Sequence, residues 1–392
     1  MICGIDQIDT TGKTVFLRVD FNVPLDKGKI TEPHRIESAV PTIRLVLEKS
    51  RKVIIASHLG RPGGRKDPEF SLAPIRAYLE RCLGQTVVLA PDCIGSEVEK
   101  LVRDSDSRIL LLENLRFHPE EEKNDESFSR ALASLADVYV NDAFGAAHRA
   151  HASTTGMAAF FEIKAAGLLL QRELDYLSRV LIAPEKPFIA ILGGAKVSDK
   201  IGVIKNLLPK LDALLVGGGM AYTFLKANGI DVGRSLVEND KISVAKQLMA
   251  DAITNGVKVL LPIDHMTGDE NKENSSISDV NIPEGRVGLD IGPRTTDRFI
   301  EEIGGSRIVL WNGPVGLFEI EPFERGSKAL AQALAAHQSD IVSIVAGGDT
   351  VAAVTAAGVG DHITHLSTGG GATLEFLEGR ELPGIKALEK TA

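Results

Sequence analysis

The chain has 392 residues, of which 44% are hydrophobic and 25% are charged, and a formal net charge of −9. This length predicts two or three domains rather than one. The acidic balance argues against binding to nucleic acid or to an anionic membrane, because both need a broad positive field. Three cysteines without a C-x-x-C spacing, no leader pattern and no membrane-length apolar run predict a cytoplasmic protein.

In the first half of the chain, four apolar runs each lead into a loop that contains cations. The runs are Thr14–Arg18, Lys52–Ser57, Arg108–Leu112 and Asp137–Val140. They alternate with helical stretches, which predicts a parallel sheet covered by helices on both faces. Ligands of such sheets bind beyond the carboxyl ends of the strands. Arg35, His58, Arg61, Arg116 and Arg149 lie near these ends, so we expect a pocket for a small, multiply charged acid.

In the second half, the apolar runs lead into glycine loops instead. The runs are Pro187–Leu192, Asp212–Val216, Arg307–Leu310, Ile341–Val345 and His365–Ser367. Glycines between a strand and a helix expose amide N–H groups at the positive end of the helix dipole, which suits nucleotide phosphates. Examples of predicted helices in the chain are Ser71–Leu83, Phe128–Leu135, Glu238–Asn255 and Arg325–His337, and the polar segment Thr267–Ile277 is predicted to be a loop.

The stretch Ala165–Leu181 reads as one long helix that is broken by Pro184 and Pro187. A stiff helix ended by prolines is typical of an interdomain connector, although a helix within one continuous domain stays possible. The predicted fold is therefore α/β, with two doubly wound, Rossmann-like parallel-sheet domains joined by a hinge helix and an open cleft between them.

Three residues of the glycine-rich half each have two interpretations. Lys196 and Lys200 lie four residues apart at the predicted start of a helix. There they either bind a polyphosphate or are solvated beside Asp199, since cations in the first turn oppose the helix dipole. Asp349 either caps a helix or binds Mg²⁺ together with substrate phosphates. The glycine loops beside it favour magnesium.

Several familiar motifs are absent. Gly12-Lys13-Thr14 lacks the first glycine of a P-loop, and the chain has no complete dinucleotide or protein-kinase pattern. The pairs His148/His151 and His362/His365 lack a third ligand at a recognisable spacing, which argues against zinc. No catalytic base stands beside the glycine loops. A phosphoryl acceptor that is an ionised carboxylate needs none, so phosphoryl transfer fits these residues.

Taken together, the motifs resemble those of the phosphoglycerate kinase family, in the family's order and over essentially the whole chain. The matching segments are Arg18–Pro24, Ser57–Pro62, Glu113–Phe117, Asn141–Gly145, Ala147–His151, Gly193–Lys200, Gly217–Ala221, Leu289–Pro293, Trp311–Glu319, Gly347–Thr350 and Ser367–Leu377. The segment Thr31–Ile36 departs from the usual pattern at Pro33 and His34 but keeps Arg35. The stretch Thr267–Val280 also differs, away from any site residue.

The resemblance implies reversible, magnesium-dependent phosphoryl transfer between 1,3-bisphosphoglycerate and ADP, giving 3-phosphoglycerate and ATP, by direct in-line transfer after domain closure. It implies a domain at 1–165 that binds phosphoglycerate, a hinge helix at 166–184, a nucleotide-binding domain at 185–370 and a terminal segment at 371–392 that returns to the first domain. A monomer is expected, with no nucleic-acid or membrane partner.

The implied site residues fall into three groups. Phosphoglycerate would be bound by Asp20, Asn22, Arg35, His58, Arg61, Arg116 and Arg149. The nucleotide would be bound by Gly194, Ala195, Lys200, Gly218, Gly219, Gly292, Pro314, Glu319, Gly347, Gly348, Asp349 and Thr350, with Asp349 on the Mg²⁺. The transferring group would be stabilised by Arg35, Lys196, Gly370 and Gly371.

Two other functions stay open from the residues alone. A different kinase that forms an acyl phosphate would share the glycine loops, but the number of first-half cations favours a substrate with a second phosphate. A two-domain anion-binding protein would share the cations and a hinge, but it would not need Lys196, Asp349 and the glycine loops.

Overall fold

The computed structural model describes residues 2–389, which form two compact units. The first comprises the residues up to Asp175 together with those from Glu381 onwards, and the second comprises Tyr176–Arg380. Each unit is built on a six-stranded parallel sheet with helices around it. The predicted α/β class with two doubly wound sheets is therefore confirmed, while the functional division of the chain into four segments stays a prediction.

The first unit contains eight strands among its described residues. They are β1 (Thr14–Arg18), β2 (Leu25–Asp26), β3 (Lys29–Ile30), β4 (Lys52–Ala56), β5 (Val88–Leu89), β6 (Ile109–Leu111), β7 (Val138–Asn141) and β8 (Lys164–Ala166). The sheet order is β5-β6-β4-β1-β7-β8, and β2 and β3 form a separate hairpin. The helices are α1 (His34–Lys49), α2 (Ala73–Leu83), α3 (Ser96–Asp104), α4 (Pro119–Glu122) and α5 (Glu126–Ala133).

The central strands of this sheet are apolar on both faces. All five residues of β1 and of β4 are buried, and β1 pairs in parallel with β4 on one side and with β7 on the other. Helix α1 covers one face with Ile43 and Val46. Helices on both faces leave no water contact for a polar side chain within the strands. Polar groups therefore concentrate at the strand ends, and the chain reverses its direction across the sheet at β1, where ligands of such folds bind.

Helix α6 (Leu168–Ile182) begins in the first unit and ends in the second. The strands that follow are β9 (Phe188–Leu192), β10 (Ala213–Val216), β11 (Lys258–Leu260), β12 (Asp264–Gly268), β13 (Ser276–Asp279), β14 (Val287–Ile291), β15 (Ile308–Asn312), β16 (Val342–Ala346) and β17 (His365–Leu366). The helices are α7 (Ile201–Leu207), α8 (Met220–Ala227), α9 (Ile242–Thr254), α10 (Pro293–Gly304), α11 (Arg325–Ala336), α12 (Gly348–Ala356) and α13 (Gly371–Leu377). Helix α14 (Pro383–Lys386) follows in the first unit.

The parallel sheet of the second unit has the order β11-β10-β9-β15-β16-β17. Strand β15 pairs with β9 and β16, and its Trp311 is completely buried in the core with Ile191 and Val345. The chain reverses its direction across the sheet at β9, so the loops after β9, β10 and β15 meet at one edge. A smaller antiparallel sheet, β13-β12-β14, packs near a separate apolar cluster that includes Tyr222 and Ile282.

Three local predictions were wrong. Ala165 and Ala166 belong to strand β8, and the long helix begins only at Leu168, because Gly167 lies between them. The segment Thr267–Ile277 is not a loop throughout. Its ends belong to β12 and β13, where Thr267 is buried and its hydroxyl donates to Ser276 O at 3.0 Å. The polar side chains of this hairpin form hydrogen bonds across its strands, so its sequence resembles that of a loop.

The third wrong prediction concerns the helix after Gly193-Gly194. Helix α7 begins at Ile201, and Lys200 is its N-cap residue, so Lys196 lies in the preceding loop rather than on a shared helix face. Among residues 2–389, no helix is long and apolar enough to cross a membrane.

Candidate functional site

The carboxyl ends of β1 and β4 carry a cluster of charged side chains. Arg35 Nη1 donates to Asp20 Oδ2 at 2.8 Å, and His58 Nε2 lies 3.9 Å from Asp20 Oδ1. Arg18, the last residue of β1, is fully buried, and its Nη2 lies 3.2 Å from His58 Nδ1. Two of the predicted residues, Arg35 and His58, therefore face the carboxylate of a third, Asp20.

The backbone of Gly60 joins two further predicted residues. Its N–H donates to Asn22 Oδ1 at 2.8 Å, and its carbonyl accepts from Arg116 Nη1 at 2.7 Å. Buried Asn114 fixes this arrangement, because its Oδ1 accepts from Leu59 N and Arg116 N while its Nδ2 donates to Leu59 O. The sequence pattern contains Asn114, but no role for it was predicted.

Burial and neighbouring charges set the protonation of this cluster. Burial lowers the pKa of His58 well below its usual value, Asp20 opposes this, and the cations Arg18 and Arg116 add to it. His58 is therefore neutral near pH 7. Arginine can only donate, so Nδ1 accepts from Arg18 and the proton sits on Nε2, which faces Asp20. Burial would raise the pKa of Asp20, but Arg35 and Arg18 outweigh it and hold that pKa below its usual value.

Arg116 and Arg149 extend the positive field. Burial lowers the pKa of Arg116, Glu122 at 3.3 Å opposes this, and the charges of Arg18 and Arg149 lower that pKa further. Arg149 Nε donates to His148 Nε2 at 3.1 Å. Arg61 is exposed, and its side chain makes no hydrogen bond within residues 2–389. A small polyanion would relieve the mutual repulsion of these guanidinium groups.

A buried acid holds Arg18 in place. Arg18 Nε donates to Ser153 Oγ at 2.7 Å, and the Ser153 hydroxyl and N–H donate to Glu121 at 2.5 and 2.9 Å. Burial raises the pKa of Glu121, which is completely inaccessible, while Arg18 lowers it. Sequence reasoning gave neither Arg18 nor Glu121 a role. An arginine inside an otherwise apolar strand is the signal that could have identified Arg18.

In the second unit, three loops pack backbone against backbone at the ends of β9, β10 and β15. Gly194 N donates to Pro314 O at 2.9 Å, and Gly218 N donates to Val315 O at 2.9 Å. A Cβ on Gly193 would lie 2.2 Å from Pro314 O, and one on Gly218, whose φ is +65°, would lie 2.7 Å from Gly194 N. These glycines are thus required by contact between the loops. The prediction had attributed such glycines to the approach of a ligand.

Two glycines of the same region face open space. A Cβ on Gly194 or on Gly348 would meet no atom within 4 Å. Gly348 is the first residue of α12, and Gly347 before it has φ +93°. Ala195 is exposed beside Gly194. The backbone at Gly194 and Gly348 is therefore accessible to a ligand, and the exposed start of α12 suits phosphate oxygens.

Lys200 and Asp349 lie close enough to interact electrostatically. Burial lowers the pKa of Lys200, and the carboxylates of Asp199 and Asp349 oppose this. The Lys200 ammonium donates to Asn312 Oδ1, and Asn312 Nδ2 donates to Ala346 O at 2.9 Å. Asn312 is a residue that sequence reasoning did not assign. The predicted interpretation of Lys200 as a solvated cation is wrong, since only 9% of the residue is exposed.

Asp349 is exposed, and within residues 2–389 its carboxylate accepts no hydrogen bond. The N-cap of α12 is Gly347, so the alternative interpretation of Asp349 as a helix cap is wrong. Thr350 next to it is buried, and its Oγ1 accepts from Gly313 N at 2.7 Å. A carboxylate with both oxygens available fits a Mg²⁺ ion that brings its own phosphate ligands.

Among the described residues, the other residues predicted to bind the nucleotide or to stabilise the transferring group form no hydrogen bond with Lys200, Asn312 or Asp349. Glu319 and Lys196 are exposed, and Gly292 is the N-cap residue of α10, packed on the buried carboxylate of Asp264. Gly219 caps α8. Gly370, with φ +53°, and Gly371 stand at the start of α13.

Comparison with known proteins gives one consistent result. The profile of the family described as phosphoglycerate kinase matches residues 5–380. A phosphoglycerate kinase of Anaeromyxobacter dehalogenans is 58% identical over 98% of this chain and 99% of its own. A cytosolic phosphoglycerate kinase of Triticum aestivum is 52% identical over 98% of both chains. The chain belongs to the phosphoglycerate kinase family.

Solved structures agree with this assignment. The structure of phosphoglycerate kinase from Coxiella burnetii matches with a TM-score of 0.87 and 40% identity over 99% of both chains. That from Pyrococcus horikoshii matches with a TM-score of 0.86 and 32% identity. The predicted family and enzyme class, a phosphotransferase with a carboxyl group as acceptor, are confirmed. Phosphoglycerate kinases use nucleotide substrates, generally with Mg²⁺.

The neutral state of His58 predicts a pH dependence of stability. The unfolded chain binds a proton at His58 below pH about 6.5, which the folded protein does not bind, so stability falls as the pH drops below that value. Between about pH 7 and pH 5, we expect the unfolding free energy of His58→Gln to decrease by about 1–2 kcal/mol less than that of the wild type. Urea titrations followed by circular dichroism measure this loss.

The control is His362→Gln, which changes an exposed histidine. Other groups that titrate in this range cancel when the two variants are compared. Equal pH slopes for wild type and His58→Gln would show that His58 is protonated in the folded protein.

Proposed function

We propose that the first unit of this phosphoglycerate kinase binds 3-phosphoglycerate or 1,3-bisphosphoglycerate at the cluster around Asp20. The observation that carries the proposal is the convergence of Arg35 and His58 on one carboxylate, with buried Arg18 behind His58 and Arg116 held at Gly60 nearby. Because His58 is neutral, the attraction for the substrate phosphate comes from the guanidinium groups, which bind phosphate oxygens in pairs. The neighbouring Arg61 and Arg149 complete the proposed set.

We propose that the second unit binds ADP or ATP at the loops after β9, β10, β15 and β16. Open backbone at Gly194 and Gly348 supports close approach of phosphates, and Lys200 supplies a buried cation. Asp349 would hold the Mg²⁺, which neutralises phosphate charge when bound. Gly292, Pro314 and Glu319 are proposed for the adenosine portion on family resemblance alone.

The transfer step needs charge neutralisation and no proton removal. The acceptor is an ionised carboxylate, so we assign no general base. Arg35, whose guanidinium is oriented by Asp20 at 2.8 Å, and Lys196 would stabilise charge on the transferring group together with the amides of Gly370 and Gly371. Water must be kept from this group, so we propose that binding of both ligands closes the protein around them.

The cellular setting stays a proposal as well. A location in the cytoplasm is supported by the relative named as cytosolic in Triticum aestivum. A monomeric enzyme is proposed from the family resemblance alone.

The direct test is ADP formation from Mg-ATP, with and without 3-phosphoglycerate, in the presence of a trap that consumes 1,3-bisphosphoglycerate. We expect turnover that requires both 3-phosphoglycerate and magnesium. A folded, ATP-binding protein that turns over with another carboxylate but not with 3-phosphoglycerate would contradict the proposed substrate.

Arg35 provides the first test of the proposed roles. We expect Arg35→Ala to lower kcat about 10²–10³-fold, because it removes one charged donor to the transition state, while leaving the Kd for Mg-ADP unchanged. The matched control is Arg44→Ala on the same helix, whose side chain instead donates to Cys82 O. A loss confined to nucleotide affinity would remove Arg35 from the transfer site.

Asp349 provides the second test. We expect Asp349→Asn to weaken binding of Mg-ADP about tenfold or more and to leave metal-free ADP binding nearly unchanged, because the lost charge acts on the metal. Calorimetric titrations with and without magnesium separate the two effects. Asp361→Asn, at another exposed acid of the second unit, is the control. Equal weakening of both forms of ADP would show that Asp349 does not act through the metal.

A further inference from the structure

Away from the cluster around Asp20, three potential metal ligands converge in the first unit. Asp92 and Cys93 follow β5, and His118 follows the short 3₁₀ helix Leu115–Phe117. One ligand atom from each residue lies within 4.8 Å of the other two. Within residues 2–389, no other group of three or more such side chains comes together in this way. The proposed reaction does not use this group.

Hydrogen bonds to the Asp92 carboxylate organise this group. His118 Nε2 lies 2.7 Å from Asp92 Oδ1, and the backbone N–H of Cys93 donates to the same oxygen at 2.7 Å. Cys93 Sγ lies within 4.8 Å of an Asp92 carboxylate oxygen. Lys66 Nζ lies 2.7 Å from Asp92 Oδ2. Every hydrogen-bonding partner of this carboxylate is therefore a donor, and a cation could replace the proton that lies between His118 and Asp92.

The local charge favours a cation. Burial raises the pKa of the Cys93 thiol well above its usual value, and the nearby carboxylates of Asp92 and Glu121 raise it further. The negative field that disfavours a free thiolate attracts a divalent ion. Once bound, the positive charge of the ion would offset the negative charge of the thiolate. Thiolate and imidazole ligands select zinc-like ions over magnesium.

One competing cation must leave. Lys66 is paired with Asp92, but 61% of its side chain is exposed, so its ammonium can return to water. An exposed ion pair of this kind contributes little to stability. The buried Cys93 and the half-buried His118 and Asp92 need only small movements to surround an ion, because their ligand atoms already lie within 4.8 Å of one another.

We propose that Asp92, Cys93 and His118 bind one divalent transition-metal ion of the zinc class. The ligands are one carboxylate oxygen, Sγ and Nε2, and water takes the fourth position. On binding, the Cys93 thiol loses its proton to solvent, the His118 proton moves to Nδ1, and the Lys66 ammonium moves into solvent. One proton is released per ion, so affinity rises about tenfold per pH unit.

The test is titration of the full-length, metal-stripped protein with Co²⁺ under reducing conditions. A 1:1 complex with a sulfur-to-cobalt charge-transfer band, reversed by Zn²⁺, is expected. Cys93→Ser should abolish the band, whereas Cys82→Ser, which changes a partly exposed thiol outside the group, should leave it intact. A wild-type protein without the band, or a band that persists in Cys93→Ser, would overturn the proposal.

A second variant guards against loss of folding in Cys93→Ser. Lys66→Ala removes the competing ammonium from a mostly exposed position, so it should tighten Co²⁺ binding several-fold without altering the band. Unchanged or weaker binding in Lys66→Ala would overturn the proposed ligand set, because a damaged fold cannot mimic a gain in affinity. Neither measurement depends on phosphoryl transfer, so failure of the metal site and failure of the proposed reaction are distinguishable.

Discussion

The burial of parallel strands on both faces is the constraint on which the candidate sites depend. Every residue of β1, β4, β9 and β15 is buried, so polar side chains are concentrated where the strands end. Parallel strands all end at the same edge, and the loops that follow them meet there. The same rule gives the first unit a cluster of guanidinium groups and the second a set of packed glycine loops.

The cations of the first unit are held by neutral or buried partners as well as by exposed acids. Arg18 contacts neutral His58 and Ser153, and the acid behind Ser153 is fully buried Glu121. Arg116 is fixed by the backbone carbonyl of Gly60 and by Asn114. Such partners orient a guanidinium group without fully cancelling its charge, so attraction for an anion is retained.

Much of the fold could be predicted because it rests on local patterns. The apolar runs coincide with strands to within one or two residues, since burial on both faces gives continuous hydrophobic segments. The hairpin of β12 and β13 could not be predicted, because Thr267 and Ser276 satisfy each other across strands. Residues such as Asn114 and Asn312 were also missed as site residues, since their contacts join segments far apart in the sequence.

The site residues divide in the same way. Asp20 and His58 closely follow the paired strands β1 and β4, so their proximity follows from the strand order. Arg35 lies in the first turn of α1, and its contact with Asp20 could not be derived from the strands. The group of Asp92, Cys93 and His118 was invisible in the sequence, because no regular spacing connects residues brought together only by β5 and β6.

The packing of the nucleotide loops also restricts how this enzyme can be redesigned. Gly193, Gly218 and Gly313 each approach a neighbouring loop so closely that an added methyl group would collide with backbone atoms. The colliding atoms belong to the backbone, so no second substitution can remove them. These three positions therefore accept neither single nor paired changes. Gly348, with a φ that L-residues accept, and exposed Ala195 meet no such obstacle from the protein itself, so a larger side chain there would act on the bound ligand rather than on the fold. Variants with altered nucleotide preference are therefore expected at such open positions, because the packed glycines do not accept a side chain.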